Sequence, residues 1–215
     1  MKQNSGKLSV TAIMVTLVAV FILGYFLFKS SPKDSSQSLG HSDDHHSGEA
    51  LATNSSALNS LVGKPMPNIQ LLNKDGKVYT TTDLKGKNTV LFFNEGLMCY
   101  PACWNQIAAF GSDVRFNTDQ IQAISVVVDS STDWQRAISQ MPQLAKATTM
   151  FDVGAKASRE LGTLDTQSSM HKGSLPGHTY IVIDKGGIVR YVFDDPNMAI
   201  ANDMLFSKIT ELSKE

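Results

Sequence analysis

The chain has 215 residues, of which 42% are hydrophobic and 18% charged, and its formal net charge is −1. This composition is typical of a globular protein and lacks the basic excess of nucleic-acid binders, so we expect no nucleic-acid partner. The length allows one domain of about 150 residues with additional segments. Two cysteines are too few for a small disulfide-stapled fold.

The first notable segment is an uncharged apolar run from Leu8 to Phe28, LSVTAIMVTLVAVFILGYFLF. A helix of about 20 apolar residues crosses a bilayer, and no small-residue cleavage pattern of a secretory signal follows. We therefore predict that residues 1–29 are a cytoplasmic tail and a single-pass transmembrane anchor, with a long cleaved signal as the alternative. The short basic tail favours a cell-membrane protein whose C-terminal domain is extracytoplasmic, where disulfides are tolerated.

Residues 30–60 are rich in Ser, Asn and Gly, and we predict that they form a disordered tether. The tether contains HSDDHH at residues 41–46. Imidazoles and carboxylates at this density can bind Cu(II), Zn(II) or Ni(II) loosely. A solvated polar linker without a metal is the alternative.

Residues 61–215 are predicted to form one α/β domain. Asp75-Gly76 is a strong turn signal between two short strands, and the continuous apolar run NTVLFFN is typical of a buried central strand. Strands alternate with helices and are followed by a hairpin and a closing helix, which gives a mixed central sheet flanked by helices. The predicted strands are 69–72, 77–80, 88–94, 122–128, 148–152, 179–183 and 188–193, and the predicted helices are 101–110, 133–141, 153–162 and 198–212.

Cys99 and Cys103 follow the predicted central strand, at the start of a predicted helix. A helix N-terminus lowers the pKa of a thiol, and the thiolate is the nucleophile. The i, i+4 spacing places the two Cα atoms about 6 Å apart on one helical face, within disulfide range. Because so short a loop adds little stability, we predict a redox-active pair. A static disulfide or two packed thiols are the alternatives.

The segments VGKPMPNIQLLNKDGKVYTTTDLKGK and HTYIVIDKGGIVRYVF, with the C-x-x-x-C pair between them, resemble the thioredoxin-fold redoxins. The resemblance is to the alkyl hydroperoxide reductase/thiol-specific antioxidant branch, which includes peroxiredoxins, and covers about residues 61–212. It implies a thioredoxin-like fold and an oxidoreductase without a required cofactor. The implied substrate is a peroxide or a protein disulfide, and the implied reductant is a thiol or a protein.

The chain departs from the usual peroxiredoxin pattern P-x-x-x-T-x-x-C. Gly96 stands three residues before Cys99, Tyr100 stands three residues before Cys103, and the proline is missing from both registers. An arginine usually precedes the late strand of peroxiredoxins, and this neighbourhood holds His178. The peroxide-activating set of that family is therefore incomplete here.

Two further resemblances leave the activity open. Sco-type copper chaperones are membrane-tethered thioredoxin-fold domains with a C-x-x-x-C pair and a distant histidine. That resemblance implies Cys99, Cys103 and His178 as copper ligands, a donor set that suits Cu(I). The chain is also similar to extracytoplasmic thiol–disulfide oxidoreductases, which carry a cis-proline before the late strand, where this chain has His178 and, nearby, Pro176.

We expect Cys99 to attack the substrate, since it lies nearer the strand end and should be the more exposed thiol, and Cys103 to resolve it. His178 is predicted to lie near Cys99 and to stabilise a thiolate, relay a proton or ligate a metal. Glu95 is predicted either to take a proton from the resolving thiol or to be a surface carboxylate without a role. His171 is a weaker candidate than His178.

Overall fold

The computed structural model describes residues 55–212. No helix within that range is long and apolar enough to cross a membrane, and the predicted span at 8–28 lies outside the described residues. The described part opens with helix α1, Ser56–Asn59, whose Leu58 is completely buried in the core. The folded domain therefore begins before the predicted boundary at residue 61, because an apolar side chain anchors the end of the segment that we assigned to the tether.

Seven strands form one mixed sheet. They are β1 (Gln70–Leu72), β2 (Val78–Thr80), β3 (Asn88–Phe93), β4 (Ile121–Val127), β5 (Thr148–Phe151), β6 (Thr179–Ile183) and β7 (Val189–Asp194). The spatial order is β2-β1-β5-β4-β3-β6-β7. The central strand β3 pairs in parallel with β4 and antiparallel with β6. The β1–β2 hairpin joins β5 antiparallel at one edge, and the β6–β7 hairpin closes the other.

Helices cover both faces of this sheet, as predicted. Residues of β3 alternate between two hydrophobic clusters: Val90 and Phe92 face one, and Leu91 and Phe93 face the other. All six residues of β3 are buried, which explains its unbroken apolar sequence. The remaining helices are α2 (Ala102–Ser112), α3 (Ser131–Gln140), α4 (Lys156–Glu160) and α5 (Asn202–Leu212).

Two predicted helices are shorter than expected. The last one begins at Asn202 rather than at residue 198, because Met198 has a left-handed φ of 50° and the carboxylate of Asp195 holds the preceding turn. The predicted helix 153–162 is reduced to α4, since Gly154 and Ala155 also have positive φ angles.

Candidate functional site

The two cysteines lie where β3 ends and α2 begins. The side chain of Asn94 accepts a hydrogen bond from the backbone N–H of Gly96, and a single 3-10 turn, Gly96–Met98, leads to Cys99. Cys103 is the second residue of α2, and its backbone N–H donates to the carbonyl oxygen of Cys99 at 3.0 Å. The pair therefore lies at the carboxyl end of the central strand and at a helix N-terminus, as predicted.

The turn before Cys99 requires a glycine. Gly96 has a φ of 57°, and a Cβ built there would collide with the carboxylate of Asp129. That carboxylate accepts the backbone N–H of Leu97 at 3.1 Å, and burial raises its pKa. The indole of Trp104 donates to the Gly96 carbonyl at 3.0 Å. Two side chains from different elements therefore fix the path of the backbone into Cys99.

We expect Gly96→Ala to lower the free energy of unfolding by about 2–4 kcal/mol, because it adds a steric conflict to the unfavourable φ. Gly76→Ala is the matched control: Gly76 has a φ of 78° with no atom within 4 Å of a built Cβ, so only the backbone cost of about 1–2 kcal/mol applies. Urea unfolding of both variants measures the difference. Equal losses would contradict the proposed clash with Asp129.

Cys99 and Cys103 form a disulfide, with Cα atoms 5.4 Å apart. Cys99 is 2% exposed and Cys103 is 1% exposed, so both cysteines are buried and their own exposure does not distinguish the attacking thiol from the resolving thiol. The difference lies in the neighbours: Met98 and Tyr100, on either side of Cys99, are 59% and 65% exposed. Cys99 therefore belongs to a thin surface loop, whereas Cys103 lies on the inner face of α2.

His178 lies just before β6, is 1% exposed, and contacts Cys103 rather than Cys99. Its Nδ1 lies 3.5 Å from Sγ of Cys103, and its Nε2 lies 2.7 Å from the hydroxyl oxygen of Tyr180. His178 does lie near Cys99, as predicted, since the Cys99 sulfur and a ring nitrogen of His178 are within 4.8 Å of each other. The direct contact is with Cys103, because α2 holds its inward-facing side chain over the start of β6. The ring of Phe92 packs edge-on against the imidazole.

The tautomer of His178 follows from the burial of Tyr180. Burial raises the pKa of the Tyr180 phenol well above its ordinary value, so the phenol keeps its proton and must donate it. Its hydrogen-bond partner among the described residues is Nε2 of His178. Burial also lowers the pKa of His178 to about 4, so the imidazole is neutral near pH 7. With Nε2 as acceptor, the single ring proton is on Nδ1, the nitrogen that lies 3.5 Å from Sγ of Cys103. The backbone of Ala199 also makes a hydrogen bond with this imidazole and opposes part of the lowering of its pKa.

The lowered pKa of His178 predicts a pH dependence of stability. Between about pH 4 and 6.5 the unfolded chain binds a proton that the folded chain does not, so stability falls as pH falls through this window. The loss approaches about 3 kcal/mol near pH 4 and is absent above pH 6.5. Urea unfolding with a chelator present, across this range, should show the loss, and His178→Gln should remove it. An unchanged pH profile in His178→Gln would contradict this assignment.

Glu95 is neither a surface carboxylate nor a partner of the cysteines in this structure. It is 1% exposed, and its Oε1 accepts the backbone N–H groups of Met170 and His171 at 2.6 and 3.0 Å. Its Oε2 lies 3.0 Å from Nδ1 of His171, and Ser169 adds a weaker contact. Glu95 therefore anchors residues 169–171 beside the site, and His171 belongs to that anchor.

The sulfur atoms of Cys99 and Cys103 and a ring nitrogen of His178 lie within 4.8 Å of one another. All three residues are buried, and together they offer two soft ligands and one imidazole once the disulfide is reduced. This donor set fits a thiophilic ion such as Cu(I). The three residues named for copper from the sequence are thus brought together.

Sequence reasoning missed two residues of the site. Tyr180 is two residues after His178, and the alternation of a strand places both on the same face, so the periodicity of β6 contained the signal. Asp129 follows β4, which is parallel to β3. The carboxyl ends of parallel neighbours meet at one sheet edge, which could have placed Asp129 beside the loop after β3.

Sequence comparison with known proteins shows which family the chain belongs to. Residues 62–192 match the AhpC/TSA family, and because this is more than half of the sequence, the chain belongs to that family. It is 30% identical over 139 residues to peroxiredoxin Q of Triticum aestivum, covering 62% of this chain and 58% of the wheat protein. It is 26% identical over 200 residues to peroxiredoxin Q of Populus jackii, covering 88% of both.

The fold is that of a solved peroxiredoxin. The yeast mitochondrial 1-Cys peroxiredoxin superposes with a TM-score of 0.59 at 18% identity, over 71% of this chain and 76% of that one. This likeness confirms the predicted thioredoxin-like α/β fold. The chain spans under two thirds of the length of the wheat relative.

Proposed function

We propose that this chain is a thiol-dependent oxidoreductase, a peroxiredoxin-like peroxidase, in which Cys99 and Cys103 cycle between dithiol and disulfide. The observation that carries the proposal is the hydrogen-bonded series Cys103–His178–Tyr180 beside the disulfide. A neutral imidazole that donates to sulfur stabilises the thiolate form of Cys103. A thiol that repeatedly leaves and re-forms a disulfide benefits from a stabilised thiolate, whereas a permanent structural disulfide does not need it.

The reaction then has three balanced steps. The thiolate of Cys99 attacks a peroxide oxygen, the O–O bond breaks, and an alcohol or water leaves, so that Cys99 becomes a sulfenic acid. The thiolate of Cys103 attacks that sulfur, and hydroxide leaves as water to give the disulfide. An external dithiol reduces the disulfide: its first thiolate attacks Cys99, and Cys103 leaves as a thiolate that accepts a hydrogen bond from Nδ1 of His178. The second thiolate of the dithiol then attacks the mixed disulfide, so that Cys99 leaves as a thiolate and the oxidised reductant departs as its own disulfide.

The exposed surroundings of Cys99 favour it as the thiol that attacks the peroxide. The hydrogen bond with His178 favours Cys103 as the resolving thiol. The exposed side chains of Met98 and Tyr100 flank Cys99, so a small movement of this loop uncovers its sulfur. The Cys103 sulfur faces His178 and the core instead. Cys99 therefore meets both the peroxide and the reductant, and His178 is a positioning residue for Cys103.

Consumption of hydrogen peroxide by the purified full chain, with dithiothreitol as the reductant, tests this function. We expect turnover that Cys99→Ser abolishes. His171→Gln is the control, because His171 contacts Glu95 and not the cysteines, and it should retain the activity. Peroxide consumption that is no faster with the wild-type chain than with Cys99→Ser would refute the peroxidase, and reduction of an insulin disulfide would then test thiol–disulfide exchange.

The same proposal places the domain outside the cytoplasm on a single membrane span. Its support is the uncharged run from Leu8 to Phe28, which is long enough for a helix across a bilayer. Expression in a bacterial host with alkaline phosphatase fused to the C-terminus tests it. We expect an active phosphatase that remains with membranes after carbonate washing; an inactive fusion, or release by the wash, would contradict this placement.

A second candidate function is the binding of Cu(I) as cargo by the reduced site. The relatives named above are peroxiredoxins, so this candidate rests on geometry alone: Cys99, Cys103 and His178 present ligand atoms within 4.8 Å of one another. Competition with a chromophoric Cu(I) chelator measures the affinity. We expect His178→Gln to weaken binding about 10–100-fold if the imidazole is a ligand, and an unchanged affinity would exclude the three-ligand site.

A further inference from the structure

The chain makes a tight turn beside the redox site directly after β7. Asp195, at the start of this turn, is 4% exposed, and its two carboxylate oxygens accept the backbone N–H groups of Asn197 and Ala199 at 3.0 and 2.9 Å. The backbone N–H of Met198 donates to the carbonyl oxygen of Asp195 at 3.1 Å. One buried side chain therefore sets the path of the 195–199 turn, to which the proposed cycle gives no part.

Both ends of the 195–199 turn are hydrogen-bonded to parts of the redox site. At its start, the backbone N–H of Asp195 donates to the carbonyl oxygen of His178 at 2.9 Å. After its end, the backbone N–H of Ala201 donates at 2.8 Å to the side chain of Gln106, which is fully buried in α2, the helix of the resolving thiol. A shift of the turn therefore breaks a hydrogen bond to the histidine or to this helix.

The turn also contains a residue with a strained backbone. Met198 has a φ of 50°, in the left-handed region that residues other than glycine rarely adopt. Such conformations persist where the surroundings hold them, and they are concentrated at functional sites. The side chain of Met198 packs against the hydrophobic cluster that contains Cys99 and Cys103. The strain therefore lies next to the redox site, which motivates a functional role for the turn.

The turn brings a carbonyl oxygen to the imidazole of His178. Burial lowers the pKa of this ring, and a hydrogen bond with the backbone of Ala199 opposes part of the lowering. A hydrogen bond raises the pKa of an imidazole when the ring donates it, so the acceptor is the Ala199 carbonyl. Since Nε2 accepts from Tyr180, the donor is Nδ1, which also lies 3.5 Å from Sγ of Cys103. The ring proton therefore has two neighbouring acceptors.

We propose that Asp195 is a positioning residue for His178 in the proposed dithiol–disulfide cycle, on which this inference rests. While Cys103 is in the disulfide, its sulfur is a weak acceptor, and the carbonyl of Ala199 holds the ring proton. When the disulfide is reduced, the Cys103 thiolate is the stronger acceptor and takes the hydrogen bond. Asp195 fixes the carbonyl at the same ring nitrogen, so this exchange needs no reorientation of the imidazole.

The rate at which dithiothreitol reduces the disulfide of the purified full chain, in non-ionic detergent, tests this role, because Cys103 leaves as a thiolate in that step. Asp195→Asn retains one acceptor oxygen instead of two, so the turn holds the imidazole less firmly. We expect it to slow the reduction about 3- to 10-fold, because the leaving thiolate is stabilised less. A merely structural role predicts the opposite sign, since a loosened turn exposes the disulfide and speeds its reduction.

Two comparisons separate the turn from general effects of the substitution. Asp184→Asn is the matched control, since Asp184 accepts the backbone N–H groups of Gly186 and Ile188, two and four residues ahead, as Asp195 does in its own turn. Asp184 lies at the other end of β6, and its variant should leave the rate unchanged. In a double-mutant cycle, Asp195→Asn should add nothing to the slowing caused by His178→Gln, because it acts through that residue.

The ring proton gives a second readout that needs no turnover. Nuclear magnetic resonance of the oxidised full chain, with isotope-labelled histidine, should show the Nδ1–H of His178, which His178→Gln assigns by its loss. We expect this proton to exchange with water at least about 5-fold faster in Asp195→Asn than in the wild type. The exchange should be unchanged in Asp184→Asn.

A reduction rate of Asp195→Asn equal to or above that of the wild type, or effects that add to those of His178→Gln, would overturn the proposal. If His178→Gln is reduced as fast as the wild type, the role of His178 in the proposed function fails, and this inference fails with it. If His178→Gln is slow and Asp195→Asn is not, the inference alone fails. Should Asp195→Asn not fold, Met198→Gly loosens the same turn at a φ that glycine tolerates, and the same slowing is expected.

Discussion

Replacing Cys103 with serine is expected to stop the cycle at an oxidised Cys99. Without the resolving thiol, the sulfenic acid formed by peroxide has no intramolecular partner and persists long enough to be trapped by dimedone. We expect about one label per chain after a single equivalent of hydrogen peroxide, as measured by mass spectrometry of the intact chain. The wild-type chain should give the disulfide and almost no label.

The reciprocal variant is the control for this prediction. In Cys99→Ser the remaining thiol faces His178 and the core, so peroxide should reach it much more slowly than it reaches Cys99. Labelling at Cys103 in Cys99→Ser that is as fast as labelling at Cys99 in Cys103→Ser would reverse the two roles. In that case stabilisation by His178, rather than access, would select the attacking sulfur.

Replacing His178 or Tyr180 should also change the pKa of the Cys103 thiol. We expect His178→Gln to raise this pKa by about one to two units, because a hydrogen bond to a charged group contributes about 1.5–3 kcal/mol. Tyr180→Phe should raise it by less, since the imidazole remains but its tautomer is no longer fixed. The ultraviolet absorbance of the thiolate against pH, in the Cys99→Ser background, measures Cys103 alone.

The matched control for this titration is His171→Gln in the same background. His171 is partly exposed and pairs with Glu95, so its replacement should leave the Cys103 pKa unchanged. A Tyr180→Phe variant that lowers the pKa of Cys103 would contradict the tautomer assignment, because it would mean that the phenol had kept the ring proton away from the sulfur. A merely structural role of Tyr180 predicts lower stability without a change in this pKa.

The fold was predictable because its signals are local and repeated. The unbroken apolar run of β3, the Asp75-Gly76 turn and the hairpin around Gly187 each specify one element from short-range chemistry. The helix boundaries near residues 155 and 198 were not predictable, since they depend on positive φ angles at Ala155 and Met198. Alanine and methionine are not residue types that predict a positive φ.

The sequence was sufficient to predict most residues of the site, but not which of them are in contact. The cysteine spacing indicated a disulfide, and the position of His178 before β6 indicated proximity to the pair. Which cysteine meets the imidazole depends on how α2 rotates over the sheet, and this is a property of tertiary packing. Glu95 illustrates the same limit: a carboxylate at a strand end has no sequence mark that distinguishes an anchor for residues 169–171 from a base.

Stopped-flow tryptophan fluorescence of the reduced chain mixed with hydrogen peroxide is the most direct test of the proposed Cys99–Cys103 cycle. Trp104 adjoins Cys103 in α2, and its indole donates to the carbonyl of Gly96 in the loop that leads to Cys99, so formation of the disulfide should change its emission. We expect a change much faster than the oxidation of a free thiol, absent in Cys99→Ser, with its second phase lost in Cys103→Ser. A response as slow as that of a free thiol, unchanged by Cys99→Ser, would contradict it.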